Sequence, residues 1–219
     1  MHTKSSYTLS VWKNEITTAV VVVLSLFLAY LFPVQNTFQG FSRIIFFMLL
    51  LPILYIKLIL KKDLFSFGLN LHNQKAGFLW SAGMLLALGI LAGLLFHFFS
   101  FEKYVSLPNY VLHNFWLFVF YELVLINILF FITEFFFHGF LLSSLQQKLG
   151  VWSILLQFLI LFIFASALET PSLKSLPSLA ISLIGGFVSY KTKSFIYAYL
   201  GGFLFIFFFD AYIIHILNK

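Results

Sequence analysis

Two residues of opposite acid–base character stand in an otherwise apolar stretch, Ile132 to Leu141, which reads ITEFFFHGFL. Glu134 and His138 are four apart, so on a helix they share one face and can touch. Such a pair can exchange a proton between carboxyl and imidazole, offer two ligands to a metal ion, or close a hydrogen bond that lets both groups be buried. A lone carboxylate at mid-bilayer depth costs roughly 2.5–3.5 kcal/mol, whereas an ordinary surface pair at this spacing contributes only about 0.2–0.5 kcal/mol. A further partner, a water, a proton or a metal ion is therefore expected beside them.

A metal ion would need a third ligand, for which Glu122, Glu169, Asp210 and His215 are the conceivable residues. Position argues against a cluster. Glu122 lies 12 residues before Glu134, about 120° round a helix at ~100° per residue, and Glu169 and Asp210 fall near the opposite membrane face. The expectation is no metal and no cofactor.

The elements that must position the pair are read from composition. Hydrophobic residues make up 62% of the 219 and charged residues 9%, against about a quarter charged in a globular chain. This is the composition of a polytopic membrane protein. The net charge of +6 does not point to nucleic acid, because the basic residues are scattered at segment ends and form no stripe. The absence of cysteine excludes disulfides, thiolate ligands and a cysteine nucleophile. The 32 phenylalanines read as lipid-facing bulk.

Apolar runs predict helices over Ile16 to Phe32, Phe41 to Leu60, Gly77 to Phe98, Asn114 to Leu142, Val151 to Leu168, Leu179 to Tyr190 and Ser194 to Leu217. The first lacks a small-residue cleavage pattern and reads as an uncleaved span. Between the second and third, Asp63 to Ala76 alternates Phe65, Phe67, Leu69 and Leu71 with polar or small residues, which suggests a short interfacial segment. Leu142 to Lys148 reads as a separate amphipathic piece ending at Gly150. Gly185-Gly186 and Gly201-Gly202 permit close helix approach, and Trp12, Trp80, Trp116 and Trp152 suit an aromatic belt. The expected fold is all-α, a single membrane domain over residues 1–219 with about seven spans. With the N-terminus cytoplasmic, nine basic residues fall on the inner side and Arg43, Lys103, Lys174 and Lys219 on the outer, in keeping with the positive-inside rule.

The ITEFFFHGFL stretch also resembles the first motif of the CAAX-protease and bacteriocin-processing family of intramembrane proteases, which includes abortive-infection proteins. That motif is two glutamates, three apolar residues and then Arg-Gly. Its places are filled here by Thr133, Glu134, Phe135, Phe136, Phe137, His138 and Gly139. From about residue 130 to 206 the order of features is similar to the family core: Phe-x-Gly-Phe-Leu-Leu, a polar turn ending in Leu-Gly, an aromatic helix, a loop with proline, a Gly-Gly helix and a short basic break before the last helix. Gly68-Leu69 fills the place of a Gly-Leu pair ahead of the family's third span.

The resemblance implies a site in which the first glutamate activates the attacking water, with imidazoles from a second and a third motif. Thr133 takes the place of that glutamate, and its hydroxyl cannot serve as a base near neutral pH. The second-motif places hold Phe162 and Ser166, or Phe164 and Leu168. The third-motif places hold Gly201 or Gly202 with Phe205 or Ile206. Hydrolysis of an amide needs an activated nucleophile together with charge stabilisation. The resemblance therefore implies a degenerate, catalytically inactive member in a bacterial cytoplasmic membrane, a subunit or scaffold in contact with lipid and with another membrane protein. The alternative is a divergent protease that uses Glu134 and His138 on a substrate peptide, with a metal ion or without one. A carrier ranks below both, for want of an internal repeat.

Overall fold

The computed structural model describes residues 12–72, 74–99, 101, 107–168 and 173–217. Glu169, Lys103 and Lys219, which entered the expectations above, lie outside the described residues. All the regular structure among the described residues is helical, in seven rods and three short helical turns. The rods are α1 (Lys13–Leu31), α2 (Thr37–Ile59), α3 (Gln74–Phe99), α4 (Phe115–Leu149), α5 (Trp152–Leu168), α6 (Leu176–Thr192) and α7 (Phe195–Leu217). Five of these, α1 to α4 and α7, are long and apolar enough to cross a membrane. The other two have 17 residues each, at the short end of the ~17–25 residues that a span requires.

The largest departure from expectation is α4. It does not stop near Leu142 but continues to Leu149 as one helix of 35 residues, so the piece expected to be separate is its last two turns. Nothing in LLSSLQQKL breaks a helix. Ser144 Oγ donates back to Phe140 O at 2.7 Å, and the rod ends only at Gly150, whose φ of +54° a side chain would resist. At ~1.5 Å per residue α4 is about 52 Å long, well beyond the ~30 Å of a hydrocarbon core. Two stretches of α4, Tyr121–Ile126 and Phe135–Leu142, are wound more widely, as π-helix.

All eight residues from Phe135 to Leu142 are buried, as expected of a helix that is apolar on every side. Phe135, Phe136, Phe137 and Phe140 pack with Val22 and Leu26 of α1, Met48, Tyr55 and Ile56 of α2, Phe67 and Phe195. These phenylalanines are core, not lipid-facing bulk; others, such as Phe46, Phe98 and Phe208, do face outward. A second apolar cluster joins α3, α6 and α7 through Met84, Leu88, Ile181, Val188, Tyr197 and Phe205.

The connector between α2 and α3 is a plug, and its alternation is not that of a strand. Leu64–Phe67 forms a 3-10 turn that buries Phe67 while Phe65 and Leu71 stay exposed. Gly68 follows at φ +84°, where a methyl group would sit 3.2 Å from Phe195 N. Its carbonyl accepts from Phe195 N–H at 3.2 Å and from Ser194 Oγ at 3.1 Å, and Asn70 Nδ2 donates to Lys193 O at 3.2 Å. The plug thus satisfies donors at the start of α7, which would otherwise be orphaned. Across the bundle, Ser81 Oγ of α3 donates to Tyr197 O at 2.6 Å.

Candidate functional site

Glu134 is the last residue before the second widely wound stretch of α4, and His138 lies one turn on, inside it. Glu134 is 3% exposed and His138 2%. The Glu134 Oε2 to His138 Nδ1 distance is 2.6 Å, and Nε2 lies 3.0 Å from the backbone oxygen of Ser182 in α6. That carbonyl oxygen can only accept, so Nε2 carries a hydrogen. One proton then remains for the short contact, which is either carboxyl to imidazole or carboxylate to imidazolium. In both forms the pair has no net charge, which is what makes its burial tolerable.

The sequence allows this because α6 offers a bare surface. A methyl on Gly185 would lie 3.1 Å from His138 Cε1, and one on Gly186 would lie 2.9 Å from Gln157 Oε1 and 3.6 Å from His138 Nε2. The imidazole thus fills the space that two missing side chains leave, so this glycine pair does bring helices close. Gln157 of α5, fully buried, donates from Nε2 to Ser182 Oγ at 3.0 Å. Its Oε1 has no hydrogen-bond partner and borders the same Gly186 surface as the imidazole.

The other residues named from sequence are placed elsewhere. Thr133 Oγ1 donates to Leu129 O of its own helix at 2.9 Å. Ser166 Oγ is buried without a partner. Gly201 packs on the backbone of Ser81, and the Phe130 ring lies over Gly202, where a methyl group would come within 2.6 Å of Cζ. His215 is exposed. Glu122 and Asp210 do not approach Glu134; they meet each other, their carboxyls within hydrogen-bonding reach across α4 and α7. Among the described residues no three of His, Asp and Glu gather as a metal site would need.

Sequence reasoning missed Gln157, the Ser182 carbonyl and the meeting of Glu122 with Asp210. A backbone carbonyl carries no side-chain signature. The acidic pair could have been found, since the antiparallel course of α4 and α7 puts residues 122 and 210 at the same end. The arrangement can hold one proton between Glu134 and His138 and tie α4 to α6; it presents no free imidazole nitrogen. Compared with protein families, curated proteins and solved structures, the chain matches none.

Proposed function

We propose that this chain is a non-catalytic integral membrane protein, a degenerate relative of the CAAX-type intramembrane proteases. In this reading it serves as a membrane-embedded subunit or scaffold for a protein partner. The observation that carries the proposal is the closed state of Glu134 and His138, since a general base must have a lone pair directed at water or substrate and both imidazole nitrogens are engaged within the chain. Two further features support it: Thr133 is bonded to its own helix, and the Phe130 ring occupies the space above Gly202.

The proposed topology has seven crossings, with the N-terminus in the cytoplasm of a bacterial cell. In its support, the start of α1, the end of α2 with its connector and the end of α4 line one cleft, and the connector is bonded to Lys193 just before α7, which gathers Lys13, Lys57, Lys61, Lys62, Lys75, Lys148, Lys191 and Lys193 toward one side.

The test uses the purified chain in liposomes containing membrane-spanning peptides, with Glu134→Ala alongside, and purification in mild detergent. A stoichiometric co-purifying membrane protein and no cleavage are expected. Cleavage that Glu134→Ala abolishes would overturn the proposal in favour of a protease working through Glu134 and His138.

A further inference from the structure

Glu122 is the most deeply buried acid of the chain's described part, at 0% exposure, and neither of its carboxyl oxygens has a hydrogen-bond donor. The group within reach is another acid, Asp210 of α7. The ion pairs among the described residues, Lys57–Asp63 and Glu134–His138, involve neither. Two ionised carboxylates in contact can only accept, so they would repel each other and Glu122 would be buried without a donor. A single hydrogen between them removes both penalties at once, since one acid then donates to the other carboxylate.

We propose that Glu122 and Asp210 share one proton and form a proton-binding site between α4 and α7. A cavity of about 420 Å³ at the same end of the bundle, lined by His113, Asn114, Phe115, Phe118, Ala211 and Ile214 among others, reaches neighbours of both acids and neither acid itself. Phe118 is one turn before Glu122, and Ala211 adjoins Asp210. The titratable neighbour of the pair is Tyr121 on α4; Tyr110, on the helical turn Asn109–Leu112, lies against Tyr121 with ring centroids 6.4 Å apart, and His113 is at the cavity. α4 and α7 are also joined near the pair by Phe118 against Phe207, with ring centroids 5.4 Å apart, and by the Tyr199 hydroxyl donating to Asn127 Oδ1.

The experiment is infrared spectroscopy of the full chain in lipid nanodiscs at neutral pH, in light and heavy water. A protonated-carboxyl band is expected that disappears in Glu122→Gln and equally in Asp210→Asn, because the amide donates to the remaining carboxylate and leaves it no reason to hold a proton. The band should persist in Glu134→Gln. Either of the first two variants is sufficient if the other does not fold. A band unchanged in them, or no such band in the parent, overturns the proposal. So does a band abolished by added sodium or calcium ions, which would make the site a metal-cation site.

Discussion

Each of the two buried carboxylates, Glu134 and Glu122, meets a second ionisable group, and the two pairs solve the same problem in opposite ways. Glu134 and His138 are an acid and a base on one helix, and their hydrogen bonds close through Ser182 of another. Glu122 and Asp210 are two acids on two helices, and no other group donates to Glu122. The first pair reaches neutrality from its own residues; the second needs a proton from outside. The difference teaches that burial alone does not mark a functional carboxylate, because what matters is whether its neighbours complete it. The complete pair behaves as structure and the incomplete one as a site.

Breaking the complete pair should have the largest effect. Glu134→Ala strands an imidazole and His138→Ala strands a carboxyl, each at a cost of about 3–5 kcal/mol, to be read from reversible unfolding in detergent or bicelles. The acidic pair should respond with the opposite sign when removed whole. Glu122→Leu with Asp210→Leu should leave stability unchanged or raise it by about 1–4 kcal/mol in the same measurement. Equal losses at both pairs would erase the contrast.

Smaller changes sharpen it. Gly202→Ala forces the Phe130 ring to move and Gly186→Ala presses on Gln157, for an expected loss of about 1–3 kcal/mol each. Ser81→Ala removes the bond to Tyr197 O, for about 0.5–1.5 kcal/mol. The smallest effect belongs to the exposed Lys57–Asp63 ion pair at 2.7 Å. The Lys57 ammonium hydrogen-bonded to Asp63 holds that carboxyl below its ordinary value. Its contribution is therefore present above the unfolded carboxylate range and fades as pH falls through the lowered value. Lys57→Ala should leave unfolding at neutral pH unchanged within measurement.

Much of the fold was legible because apolar runs of span length have few alternatives. Six of the seven rods agree with their predicted runs to within a few residues. The extent of α4 was not legible, since Ser143, Ser144 and Gln146 read as polar punctuation, while a helix stops only where its backbone is refused, at Gly150. The contact of Glu134 with His138 followed from spacing alone. Its closure did not, because Ser182 contributes a carbonyl and Gly185-Gly186 contribute an absence. Phenylalanine was misread around Phe135 to Phe140 because composition cannot tell a lipid-facing ring from one facing a neighbouring helix.

The sharpest distinction between a lock and a catalytic site is the unfolding free energy of Glu134→Ala beside the parent chain. A lock predicts a loss of about 3–5 kcal/mol, as for any buried pair deprived of one partner. Unchanged or increased stability in that variant would mean that Glu134 is strained for chemistry and not bonded for structure, and would contradict the assignment.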